Sequence, residues 1–268
     1  MPIVGISSSL VIFAATDYVP SSTQHVIDSR HFFASARVPV LEPRNHQEMY
    51  EIAAHAADIS RKFNTPVVVL ASGILTHSEG LVITKEPRKI EPRNIPEKMN
   101  QWMLMPAIAR ANYNRATQVR IPELQKWSKN SPLITETIGT DDWGIVISGE
   151  SDIIVREALQ RLDLNPSILS LSMTYPTPKE NIGEFAKKFN NKVFVFEDGD
   201  KFLQDRIKLM GIEVIGKEEN SVITDYTPEM VIQFLAKHFD IKIEKKEENL
   251  SVLPLPRPPG ICPGCPYK

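Results

Sequence analysis

Short apolar runs alternate with stretches of helical periodicity along most of this chain. Leu10 to Ala15 is an apolar run without charge, the pattern of a strand buried in a parallel sheet. Thr16 to Ser29 reads as a polar loop, and Val38 to Leu41 as a second short extended segment. A helix is expected to begin near Asn45, with Met49, Ile52, Ala53, Ala56, Ile59 and Phe63 on its apolar face. Val67 to Ala71 is the next buried strand. Strand, helix, strand in this order predicts a parallel sheet covered by helices.

Between about Glu79 and Thr140 the pattern changes. Prolines crowd the stretch from Pro87 to Pro96, and a helix from about Pro106 to Lys129 is expected to break near Pro122. This region reads as a linker with a crossing helix. The alternation then resumes. Strands are expected at Trp143–Ser148, Ser167–Leu171, Lys192–Glu197 and Ile212–Ile215, and helices at Asp152–Leu162, Lys179–Phe189, Phe202–Met210 and Pro228–His238. Glu244 to Asn249 is a charged run, read as a solvated linker. The resulting division is 1–85, 86–140, 141–240 and an extended tail, 241–268.

Composition narrows the class without naming a function. The chain has 268 residues, 42% hydrophobic and 24% charged, which suits two globular α/β domains. A net charge of -2 gives no reason to expect nucleic acid as a partner. No apolar run approaches the ~20 residues of a membrane-spanning helix. A cytoplasmic location is expected.

Few residues announce chemistry. Cys262 and Cys265 form a Cys-x-x-Cys pair in a proline-rich tail, Arg257 to Lys268. Half a metal site or a redox dithiol is conceivable there, but no second pair supplies the remaining ligands, and Pro263 and Pro266 disfavour a helix. A turn leading into a further domain is the favoured reading. His77 follows a predicted strand, where ligand sites collect in open parallel sheets. Arg30 and His31 follow Asp28-Ser29 and would either bind an anion or cap the next element. Ser148-Gly149 would offer backbone N–H groups to an anion or serve as a tight turn. Glu197, Asp198 and Asp200 would hold a divalent cation or, as favoured, take solvated and capping roles. No phosphate loop, dinucleotide fingerprint, nucleophile elbow or zinc-protease motif is present.

Several stretches together resemble one family, the alpha subunit of indolepyruvate ferredoxin oxidoreductase, a 2-oxoacid ferredoxin oxidoreductase that uses thiamine diphosphate. They are Asp28-Ser-Arg-His31, Val38-Pro-Val-Leu-Glu-Pro43, Gln47-Glu-Met-Tyr50, Thr65-Pro-Val-Val-Val69, Thr76-His-Ser78, Thr174-Tyr-Pro-Thr-Pro178 and the tail from Arg257 to Pro266. The resemblance implies a partial thiamine-pyrimidine-type parallel-sheet domain followed by a transketolase C-terminal-like α/β domain. It also implies oxidative decarboxylation of arylpyruvates, with thiamine diphosphate, magnesium, coenzyme A and iron–sulfur clusters, and ferredoxin as acceptor. Only the middle portion of the family is matched. The family's thiamine-activating glutamate, its diphosphate and magnesium ligands and its cluster domain are expected to lie outside the match.

Leu70, Ile74 and Glu79 also stand where family members tend to carry arginine, and Val26 where an acid is common. The resemblance therefore implies a chain inactive alone, binding no cofactor by itself, with a thiamine-domain chain and a beta subunit as partners in an oligomer. Catalytic residues are not identifiable. Arg30, His31 and His77 are expected in the vicinity of substrate or cofactor, and no metal ligand is assigned. The alternative is a non-catalytic assembly or docking module derived from that family. A small redox or metal protein using the two cysteines is the weakest reading.

Overall fold

The computed structural model describes residues 2–18, 26–89, 91–92, 102–103, 105–218 and 225–243. The charged run from Glu244, the tail with Cys262 and Cys265, and most of the second half of the proline-rich stretch lie outside the described residues.

The first sheet has the order β1-β3-β2-β7, from Val11–Thr16 (β1), Val67–Ser72 (β3), Val40–Leu41 (β2) and Met173–Tyr175 (β7). β1, β3 and β2 are parallel, and β7 joins antiparallel. The helix His46–Phe63 (α2) covers one face. Its start is fixed by Asn45, whose side chain accepts from the Glu48 N–H, and its end by Asn64 in the left-handed region. Ile52, Ile59 and Phe63 pack on Val67 and Val69, each burial stabilising by roughly 1.5–3 kcal/mol. Val38, Val40, Val68 and Leu70 form the core of the opposite face. Every residue of β3 from Val67 to Ala71 is buried, as its continuous apolar run predicts.

The second sheet has the order β4-β6-β5-β8-β9, from Ile134–Thr137 (β4), Ser167–Leu171 (β6), Gly144–Ser148 (β5), Lys192–Phe196 (β8) and Glu213–Ile215 (β9). All but β4 are parallel. The helices Ser151–Leu162 (α6) and Pro228–Phe239 (α9) pack on one face around Ile145, Ile147, Phe194 and Phe196. Lys179–Lys187 (α7) and Phe202–Lys208 (α8) pack on the other, around Val146, Leu169, Val193 and Val195. These elements match the sequence expectation to within a few residues.

Two features depart from it, and the expected break in the crossing helix takes a particular form. A short helix, Ser29–Ser35 (α1), follows the first loop, and a helical turn, Gly73–His77 (α3), follows β3. The crossing helix runs as Pro106–Arg115 (α4), a π-helical stretch Ala116–Arg120, and Ile121–Ser128 (α5). The break thus lies just before Pro122: proline has no N–H to donate, and the Ile121 N–H reaches back to the Ala116 carbonyl. Finally, the sheets exchange elements. β4 lies within the stretch read as linker yet edges the second sheet, while β7 leaves the second half to join the first sheet.

Candidate functional site

In both sheets the parallel strands deliver acidic residues at their carboxyl ends. Asp17 follows β1, Glu42 follows β2, Glu150 follows the Ser148-Gly149 turn after β5, and Glu197 and Asp198 follow β8. The two sheets bring these ends together. Thr16, Tyr18, Glu42, Ser72, Glu150 and Asp198 line a cavity of about 10 Å³, the room one water molecule needs.

Arg30 holds this junction. Its side chain is fully buried. Asp28 caps α1 by accepting the Arg30 N–H at 3.1 Å, and the same carboxylate takes Nε at 2.9 Å and Nη2 at 2.5 Å. Nη1 donates to Glu197 Oε2 at 2.8 Å and lies 3.8 Å from Glu42 Oε2. Nη2 also reaches the Asp198 and Asp200 carbonyls at 2.6 and 3.1 Å. The Tyr18 and Phe202 rings flank the guanidinium at 5.5 and 5.3 Å. A planar fork of five donors suits this many acceptors, as an ammonium would not.

The carboxylates around Arg30 are themselves occupied. Glu197 accepts the N–H groups of Leu203 and Gln204, so it satisfies the first turn of α8 from outside the helix. Asp198 accepts from Ser151 Oγ at 2.7 Å and from the Tyr226 N–H at 2.8 Å. Thr174 Oγ1 donates to Glu42, Ser72 Oγ donates to Glu150, and Lys217 Nζ donates to the Gly199 carbonyl. Gly199 has φ +75°, and a Cβ there would lie 2.4 Å from the Tyr18 ring, so both the turn and the close approach call for glycine.

Burial sets the protonation pattern. It pushes Glu42 up from 4.5 to about 7, against the opposing effects of Arg30 and Thr174. It likewise raises Glu197 and Asp198 and lowers Lys217. For Asp28, burial is outweighed by the hydrogen bonds and charge of Arg30, and the carboxyl falls below its usual value.

The residues singled out from the sequence have different positions. Arg30 is held by intramolecular acceptors and joins the two sheets. His31 is half exposed, with Nε2 3.4 Å from Asp200 Oδ2 and its ring edge-on to Phe202. His77 is exposed in the last turn of α3 and is not part of the Arg30 network. The neighbouring Ser78 carbonyl faces His46 Nε2 at 3.2 Å instead. Glu197 and Asp198 are buried, which corrects the solvated reading and keeps the capping one. The Glu42, Tyr18, Ser72 and Glu150 positions escaped sequence reasoning. The available signal was the acid that follows strand after strand.

Among the described residues no cluster of three or more His, Cys, Asp or Glu side chains is arranged to hold a metal ion. Glu197 and Asp198 already accept hydrogen bonds at both carboxylate oxygens, so they do not fit a magnesium–diphosphate group. No described helix is long and apolar enough to cross a membrane.

Residues 9–130 match the family described as "Pyruvate flavodoxin/ferredoxin oxidoreductase, thiamine diP-bdg". Indolepyruvate oxidoreductase subunit IorA of Methanothermobacter marburgensis is 30% identical over 279 residues, covering 98% of this chain and 44% of that protein. IorA of Archaeoglobus fulgidus shows the same identity and coverage. Over nearly its whole length the chain is thus similar to indolepyruvate oxidoreductase subunits IorA. It spans less than half the length of these relatives. Two solved structures share the fold. The 2-oxoglutarate:ferredoxin oxidoreductase of Magnetococcus marinus has a TM-score of 0.62 at 18% identity, over 88% of this chain and 50% of that one. A split gene transketolase, an inactive beta4 tetramer, has a TM-score of 0.50 at 15% identity, over 87% of this chain and 67% of that one. The expected α/β fold is therefore the one this chain shares with those two enzymes.

Proposed function

We propose that this chain is a segment of an indolepyruvate ferredoxin oxidoreductase, which decarboxylates arylpyruvates oxidatively and passes electrons to ferredoxin. The observation that carries this reading is 30% identity to IorA sustained along 98% of the chain. In this reading the chain is inactive alone. Thiamine diphosphate, magnesium and the iron–sulfur clusters are held largely by polypeptide it does not share, including a thiamine-domain chain and a beta subunit, in the cytoplasm. Residues 1–85 and 141–240 are its pyrimidine-type and transketolase-type units. His31 and His77 face the substrate or cofactor side, and Arg30 positions the loops near it.

Calorimetric titration with magnesium and thiamine diphosphate tests this reading. The expected result is binding only when the chain is mixed with the product of an adjacent reading frame. Binding by the chain alone would overturn its dependence on a partner. No binding in any mixture would favour a second reading, a non-catalytic assembly module.

One observation speaks for that second reading. Among the described residues β1 pairs only with β3, yet its sequence is that of an interior strand. Phe13 is 57% and Ile12 38% exposed, on opposite faces of this edge. Natural sheet edges usually carry charge, proline or a bulge. If the edge mediates assembly, Phe13→Lys reduces the sedimentation coefficient of the purified chain to that of a monomer. An unchanged assembly would remove β1 from the interface.

A further inference from the structure

The junction between the sheets holds more buried acid than buried base. Asp28, Glu197 and Asp198 face two cations, Arg30 and Lys217, whereas Glu42 faces Arg30 alone. Full ionisation would leave an excess of negative charge in a buried site, which costs more than protonating one carboxyl. Glu42 is the acid placed to take the proton. It receives one hydroxyl hydrogen bond, from Thr174, and its other oxygen stands 3.8 Å from Arg30, beyond hydrogen-bond reach. Glu197 and Asp198, by contrast, each accept backbone N–H groups that favour their charged forms.

We propose that the contact between the two sheets is a proton-controlled latch, closed when Glu42 is neutral and loosened when Glu42 ionises. The groups facing Glu42 are Arg30 on α1, Asp28 at its cap, Tyr18 after β1, Glu197 and Asp198 after β8, and Glu150 across the cavity. Arg30 alone among them is a cation. The others oppose a charge on Glu42 when ionised. The folded carboxyl titrates at about 7 against an ordinary 4.5. Closed protein therefore binds more protons than opened protein between those values. The stabilisation is complete below the lower value and is lost as pH rises to the upper one.

Hydrogen exchange reads this directly. The Leu203 and Gln204 amides donate to Glu197, Asp200 to Asp28, and Tyr226 to Asp198. After correction for intrinsic rates, their opening constants should rise roughly tenfold or more between pH 5 and pH 7.5. The amides of β5 should hold steady. Glu42→Gln keeps an acceptor for Thr174 and should flatten the dependence. Thr174→Val removes the donor that favours the carboxylate and should extend the rise to higher pH. A uniform change across latch and β5 amides would overturn the proposal, as would a pH response that survives Glu42→Gln. If Glu42→Gln fails to fold, a Thr174→Val profile identical to wild type has the same force.

Discussion

Replacing Arg30 with methionine lowers the stability of this protein by about 3–5 kcal/mol near neutral pH, the range for breaking a buried ion pair from one side. Denaturant unfolding at constant slope measures it. Methionine keeps much of the apolar stem against Tyr18 and Phe202 but supplies no donor. The Asp28 carboxylate, the Glu197 carboxylate and the Asp198 carbonyl then lose a partner in a buried site. Adding Glu197→Gln should return part of the loss, because a neutral amide still accepts from the first turn of α8 and leaves less charge stranded. A double mutant as unstable as the sum of the two singles would show that Arg30 and Glu197 act independently. Arg88→Met is the control: its pair with Asp58 is solvent-exposed, and no measurable change is expected.

The sequence made Arg30 visible but concealed its role. An arginine beside a serine and a histidine in a polar stretch reads as an anion site or a helix cap. Its partner Glu197 lies 167 positions away, and nothing local signals that distance. The same limit explains the other misses. α1 is seven residues long and β7 three, too short for a periodicity to emerge. β7 and β4 owe their strand form to pairing with partners in the opposite half of the chain. By contrast, β3, β5, β8, α2, α6 and α9 were legible. Their apolar runs or helical stripes are long enough to specify the element without tertiary help.

Phe196→Ala is expected to cost about 3–5 kcal/mol by cavity formation alone. Phe196 is fully buried at the end of β8, with Tyr226 and Phe234 edge-on at ring-centroid distances of 5.4 and 5.7 Å. Glu197 is the next residue, so this ring also sets where the strand hands its carboxylate to Arg30. A purely local cavity would leave the coupling between Arg30 and Glu197 unchanged in a double-mutant cycle. If the second core positions the latch, the coupling falls in the Phe196→Ala background, and exchange protection at Leu203 and Gln204 falls with it. Phe196→Leu, which loses less volume, should retain most of both. Stability and latch protection that decline together across Phe, Leu and Ala would tie the packing of the second sheet to the charge network that joins it to the first.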